Sequence, residues 1–277
     1  MLKENIEKVN DKTLPFLRWA GGKRWLTSQI DKYLPSKGFN NYHEPFLGGG
    51  AVFFHLKPSK QVYLSDLNNE LITTYKCIQD KPYELIDELR KLVNTKEKYY
   101  QIRESEPSDN LQLAVKFIYL NYTSFNGIYR VNSNGKYNVP YGYRKKYQID
   151  YGNIISASKI LKDVVLNDYD FEQIIPKVNK GDLVFLDPPY TVAHNNNGFV
   201  LYNQKIFSLE DQYRLARTIN RIKEKGAYYV LTNADHQQIR KIFNNGDKVF
   251  RVFRNSNVGG KEARRGRFSE LIITNTI

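Results

Sequence analysis

The chain is 277 residues long, 41% hydrophobic and 26% charged, with a formal net charge of +13. This length allows one large domain or two smaller ones around a sizeable core, and the charge favours a polyanionic partner, most simply nucleic acid. The single cysteine, Cys77, excludes an internal disulfide and suits an intracellular setting. The four histidines (His43, His55, His194, His236) are scattered without metal-ligand spacing, so no metal is expected. Met1 to Lys12 is charged rather than signal-like, and no apolar run approaches membrane length.

In chain order, Tyr42 to Phe46 reads as a strand, Gly50 to Leu56 as a helix start, and Gln61 to Ser65 as a second strand. Leu67 to Gln79 reads as a helix, with Cys77 as a small core residue. The middle of the chain differs. Tyr83 to Leu92, Glu97 to Glu104 and Leu111 to Thr123 read as helices with no strands between them. Tyr129 to Val139 then carries Asn134-Gly135, the signal for a two-residue hairpin. Strands return at Val164 to Leu166, Leu183 to Leu186, Ala227 to Thr232 and Val249 to Phe253. Between them Ser208 to Lys225 reads as a helix, with Ser208 as N-cap and Asp211 in the capping-box position. Leu271 to Thr274 is suited to pair with the preceding strand. The alternation predicts an α/β fold with a mostly parallel sheet. Residues 1–79 and 161–277 would form that sheet domain, and 80–160 an inserted block of helices and a basic hairpin.

Four segments carry chemistry. Asp187-Pro188-Pro189-Tyr190 follows the apolar run Leu183-Val184-Phe185-Leu186, placing a carboxylate at a carboxyl end of the sheet, where open α/β folds bind ligands. The prolines fix φ and remove two donors. Asp187 can accept a hydrogen bond from an amine and Tyr190 can stack on a flat ring. The second segment, Glu44-Pro45-Phe46-Leu47-Gly48-Gly49-Gly50, allows a tight turn after the first strand, but it is neither a dinucleotide fingerprint nor a P-loop. Asp66, 18 residues after Gly48, suits either ribose hydroxyls or the N-cap of the helix from Leu67. Last, Arg18-Trp19-Ala20-Gly21-Gly22-Lys23 sets an aromatic ring and a lysine about a glycine pair. An adenosine joined to an amino acid would use the glycines, Asp66 and Lys23 together, and S-adenosylmethionine is such a molecule.

Trp19-Ala20-Gly21-Gly22-Lys23, Glu44-Pro45-Phe46 with its glycines, Asn126-Gly127 to Arg130, Asn138-Val139-Pro140-Tyr141-Gly142 and Asp187 to Tyr190 resemble, in content and order, the Dam-type DNA adenine methyltransferases. The resemblance spans about residues 14 to 275. It implies a Rossmann-like, seven-stranded S-adenosylmethionine-dependent methyltransferase sheet with a helical and hairpin DNA-recognition domain. It implies transfer of a methyl group from S-adenosylmethionine, leaving S-adenosylhomocysteine, to N6 of a flipped adenine in double-stranded DNA, within GATC. Carried over residue by residue, Trp19, Lys23, Phe46 and Gly48 would hold the methionine part of the donor and Asp66 its ribose. Asp170 and Phe171 would meet its adenine, and Asp187, Pro188, Pro189 and Tyr190 the target amine. Phe125 would fill or intercalate the duplex, Asn126 would touch a phosphate, and Ile128, Arg130 and Pro140 would read bases. Arg18 stands where the family often has a lysine for the first base pair. Asn257 to Arg267, with Lys261, Arg264 and Arg265, matches a basic loop. The expected setting is cytoplasmic and nucleoid-associated, with no membrane partner; the sequence favours a monomer but does not fix the oligomeric state, and it leaves open whether a cognate restriction endonuclease is encoded nearby, not physically bound, or the enzyme serves repair and regulation. The motif chemistry alone leaves open a cytosine-amine or RNA-adenine methyltransferase, or a non-catalytic DNA-binding protein of the same fold. Methylation of a cytosine ring carbon would need a thiolate, and Cys77 is remote from every motif.

Overall fold

A computed structural model describes residues 13–132, 134–143, 148–190, 207–255 and 267–276. Its strands are β1 (Tyr42–Glu44), β2 (Val62–Ser65), β3 (Val165–Asn167), β4 (Leu183–Leu186), β5 (Tyr228–Ala234), β6 (Lys248–Asn255) and β7 (Arg267–Thr274). They form one seven-stranded sheet in the order β3-β2-β1-β4-β5-β7-β6. β2, β1, β4 and β5 run parallel, and β7 lies antiparallel to both β5 and β6. The sheet is therefore mixed, and the segment from Leu271 pairs with the preceding strand as its sequence suggested. The helices are α1 (Ala51–Leu56), α2 (Asn69–Asp80), α3 (Pro82–Arg90), α4 (Lys96–Glu104), α5 (Asn110–Thr123), α6 (Tyr151–Leu161), α7 (Leu209–Glu224) and α8 (Gln237–Ile242).

Contacts divide the chain into two compact units. The first comprises Met1–Arg24, Leu47–Lys57 and Ser65–Asp168. Its centre is a set of packed helices, with Leu71, Ile72, Tyr75 and Ile78 of α2 and Ile118 of α5 buried. The Gln79 side chain donates to the carbonyls of Leu161 and Val164 at 2.6 and 2.8 Å, tying α2 to the end of α6. α6 is an element the periodicity reading does not contain. Its local signal is the Asp150 N-cap, which accepts from the Asn153 N–H, followed by buried Ile154, Ile155 and Leu161.

The helix read from Leu67 begins two residues later, because Asn68 rather than Asp66 caps it, accepting from the Leu71 N–H at 3.0 Å. The hairpin also differs. Val131 bridges Tyr137, and the Asn132 N–H donates to the Lys136 carbonyl at 2.8 Å. The loop therefore has three residues rather than two, with Gly135 at φ 73° in the left-handed region such a turn requires.

The second unit comprises Trp25–Phe46, Pro58–Leu64 and Tyr169–Ile277. On one face of its strands Val184, Leu186, Tyr229, Leu231, Leu271 and Ile273 form a core with Leu215, Ile219 and Ile222 of α7. The spacing of those three helical residues puts them on one stripe. Each contributes about 1.5–3 kcal/mol on burial. The α7 capping box forms as read, with Ser208 Oγ accepting from the Asp211 N–H and the Asp211 carboxylate accepting from the Ser208 N–H.

His43 on β1 is fully buried, stacked on Tyr63, with Nε2 3.0 Å from Asp182 Oδ2. Burial holds its pKa below the ordinary 6.5, against the opposing pull of Asp182. The unfolded chain then binds the proton more readily than the folded one. Stability from this group is complete above pH 6.5 and is lost as pH falls through the lower folded value. The thermal midpoint should therefore fall between pH 7 and pH 5, and fall less in His43→Gln. Calorimetry across that range checks this, and identical slopes would clear His43 of the effect.

Candidate active site

In the first unit, the turn after β1 carries Gly48 at φ 47°, and a Cβ there would lie 2.7 Å from Cδ1 of Trp19. Only glycine fits this turn. The Asp66 carboxylate spans the same region, Oδ2 accepting from the Gly48 N–H at 2.9 Å and Oδ1 from the Asn68 N–H at 3.0 Å. Burial pushes the Asp66 carboxyl above its ordinary range, and these two backbone donors pull against that rise. Tyr75 donates its hydroxyl to the Gly48 carbonyl at 3.2 Å. Trp19 stacks on Tyr129 with centroids 5.6 Å apart, and Tyr129 donates to Glu70 at 2.9 Å. Lys23, buried to 4% exposure, donates from Nζ to the Gly21 carbonyl at 2.9 Å. Trp19, Gly48 and Asp66, distant in sequence, thus form one cluster.

The same unit holds the predicted DNA contacts. Phe125 is 51% exposed, and its N–H donates to the Pro140 carbonyl at 2.9 Å, bringing those two together. Asn126 takes φ 55°, and Gly127 packs on the Arg18 side chain. Arg18, Asn126, Arg130 and Pro140 are exposed and Ile128 half-buried. Arg130 is oriented by its neighbour across the hairpin, its Nε donating to Asn138 Oδ1 at 2.9 Å. Tyr137 donates to the Ile128 carbonyl at 2.8 Å, and burial pushes its phenol up to about 12, so it remains a neutral donor. Residues 144–147, within the basic aromatic stretch, and 257–266 of the basic loop lie outside the described residues.

In the second unit, Phe46 stacks on Phe171 at 5.3 Å, and both rings meet Phe207. Phe171 is 2% exposed, with Phe46, Phe207 and the Arg214 guanidinium about its ring. Asp170 caps the short helix Phe171–Lys177 through the Glu172 N–H. Arg214 of α7 bonds Asp170, Glu172 and Asp211 at 2.8, 3.0 and 2.9 Å, with its guanidinium 4.9 Å from the Phe171 centroid. At the end of β4, Asp187 Oδ1 accepts from Thr232 Oγ1 of β5 at 2.6 Å. Tyr190 donates its hydroxyl to Glu270 Oε2 of β7, also at 2.6 Å. Pro188 is buried.

Thr232, Glu270 and Arg214 belong to none of the sequence motifs. For Thr232 and Glu270 the available signal was a polar residue in an apolar strand, as in Val230-Leu231-Thr232 and Glu270-Leu271-Ile272-Ile273. Among the described residues no three His, Cys, Asp or Glu side chains converge as metal ligands, and no helix is long and apolar enough to cross a membrane.

A parallel sheet closed by an antiparallel β7, with a Gly-turn and acidic strand end in one unit and Asp-Pro-Pro-Tyr at a strand end in the other, defines a Rossmann-like methyltransferase class. The chain belongs to the D12 class N6 adenine-specific DNA methyltransferases, whose family model matches residues 19–258. It is similar to the Type II methyltransferase M1.LlaDCHI of Lactococcus lactis subsp. cremoris, 35% identical over 284 residues covering 98% of each chain. It is similar to the Type II methyltransferase M.MjaIII of Methanocaldococcus jannaschii, 34% identical over 94% of this chain and 98% of that one. The DNA adenine methylase of Haemophilus influenzae is 30% identical over 98% of this chain and 96% of its own. The protein is thus an adenine-specific DNA methyltransferase and its substrate is DNA.

Proposed function

We propose that the enzyme takes its methyl group from S-adenosylmethionine, releases S-adenosylhomocysteine, and methylates N6 of an adenine rotated out of duplex DNA, within GATC. The observation that carries this reading is Asp187, held at the end of β4 by the 2.6 Å bond from Thr232. Asp187 and the Pro188 carbonyl accept hydrogen bonds from the target amine. That draws the nitrogen toward tetrahedral geometry and frees a lone pair otherwise delocalised into the ring. Pro189 fixes the backbone between them, and Tyr190 stacks on the base. Extrusion of the base costs a few kcal/mol.

The residues present fit the donor. The Gly48 turn, where a Cβ would strike Trp19, keeps the backbone approachable, and the Asp66 carboxylate beside it suits ribose hydroxyls. When bound, the donor supplies a methyl group already activated on a positive sulfur. Trp19, Lys23, Phe46 and Gly48 hold its methionine part, Asp66 its ribose, and Asp170 with Phe171 its adenine. Alignment is the remaining task, and positioning alone accounts for much of such a rate. Within 80–160, the target-recognition domain, Phe125 fills the duplex, Asn126 meets a phosphate, and Ile128, Arg130 and Pro140 read base edges. Arg18 meets the first base pair. The reading further makes the enzyme a cytoplasmic, nucleoid-associated monomer. The relatives named Type II methyltransferases support a cognate restriction endonuclease encoded nearby.

The test is donor titration followed by methylation of a GATC duplex and its single-base variants, with Arg130→Ala beside the wild type at several salt concentrations. Arginine pairs best with the two acceptors of guanine, so the variant should lose about 1–3 kcal/mol on the cognate site and discriminate less at one base pair. A uniform loss on every sequence, with a salt slope smaller by about one contact, would make Arg130 a phosphate ligand instead. Equal wild-type rates on all duplexes would remove GATC.

A further inference from the structure

The Asp-Pro-Pro-Tyr segment has a partner on β7 that no motif contains. Glu270 is 3% exposed, and its Oε2 accepts the Tyr190 hydroxyl at 2.6 Å. The strand register makes this placement intrinsic to the sheet. β5 and β7 pair with Thr232 opposite Ile272 and Ala234 opposite Glu270. Opposed residues share a face, and alternate residues along a strand share it too. Thr232 and Glu270 therefore project on the same side. Leu231, Leu271 and Ile273, their neighbours along the strands, fill the core on the other side with Val184 and Leu186. On β4 the alternation that sends Val184 and Leu186 into that core sends Asp187 to the side of Thr232 and Glu270. One end of the motif is held by Thr232 and the other by Glu270.

A carboxylate buried this deeply is costly to desolvate even when hydrogen-bonded. A role outside stability accounts for it. We propose that Glu270 is a positioning residue for methyl transfer: it fixes the Tyr190 ring, and with it the plane on which the target base stacks. This rests on the reading of Tyr190 as the stacking platform. A ring anchored at both its Cα and its hydroxyl has lost its rotational freedom before the base arrives, so the base meets a plane already set. In this role Glu270 acts through Tyr190 rather than by touching base or donor.

Single-turnover methylation and donor affinity are measured for wild type, Tyr190→Ala, Tyr190→Phe, Glu270→Gln, Glu270→Leu and the Tyr190→Phe/Glu270→Leu double variant. Tyr190→Phe and Glu270→Leu should each slow transfer about tenfold, the effect of one lost hydrogen bond. The double variant should be no slower than either single one, and donor affinity should be unchanged. Glu270→Gln keeps a carbonyl acceptor and should stay close to wild type. A merely structural Glu270 would instead give losses that multiply in the double variant. That result, or a wild-type rate in Glu270→Leu, overturns the proposal. A wild-type rate in Tyr190→Ala would show that the platform reading itself has failed. A slow Tyr190→Ala beside a normal Glu270→Leu would overturn the positioning role alone.

Discussion

Replacing Asp187 with alanine is expected to remove methyl transfer while leaving the donor bound. The carboxylate ends β4, a strand with four buried residues, so its backbone is fixed by the sheet. Its Oδ1 is fixed in turn by Thr232, at 2.6 Å. A carboxylate has about four lone-pair sites and can accept from an amine as well as from Thr232. The amine gains most from that acceptor as its nitrogen becomes tetrahedral, which is to say in the transition state. The loss should then appear in the chemical step rather than in ground-state binding. Removing one such preorganised group costs on the order of 10²–10³-fold in rate. Single-turnover methylation with saturating donor measures the step directly, and calorimetry with S-adenosylhomocysteine shows whether the donor site survives. Methylation at the wild-type rate in Asp187→Ala would sink the mechanism.

What the sequence showed and what it hid divide along range of interaction. The α7 helix was legible because its cap is local, Ser208 and Asp211 being three residues apart and the apolar stripe regular. β4 was legible because four apolar residues ending at Asp-Pro-Pro have no better use than a buried strand. The start of α2 was missed by two residues because Asp66 and Asn68 are both good caps. Asp66 is drawn instead to Gly48, 18 residues away, which composition around Leu67 does not reveal. α6 escaped because its buried residues are clustered rather than spread along a clear stripe. Thr232 and Glu270 were hidden for the strongest reason. Their partners lie 45 and 80 residues away, and only the pairing of β4 with β5 and of β5 with β7 brings them to the motif. The Asp-Pro-Pro-Tyr segment thus announces itself, while the groups that orient it depend on a register no local pattern encodes.

Asp66→Ala is expected to weaken donor binding by about 1.5–3 kcal/mol, the worth of a hydrogen bond to a charged group. That corresponds to roughly 10- to 150-fold in Kd. Two contributions can be separated. The carboxylate anchors the glycine turn through the Gly48 N–H at 2.9 Å, and the same group is proposed to accept the ribose hydroxyls. Asp66→Asn retains one carbonyl oxygen, which can keep the bond to Gly48, but it loses the charge and the second acceptor. If the ribose contact dominates, Asn should bind the donor nearly as poorly as Ala. If the turn anchor dominates, Asn should recover most of the affinity, because Gly48 then stays in the left-handed conformation that lets it pass beneath Trp19. Titration calorimetry on the two variants, each with a wild-type-like thermal transition, reads the difference. Unchanged affinity in a folded Asp66→Ala protein would leave Asp66 as a brace between two loops, and the ribose would need another partner.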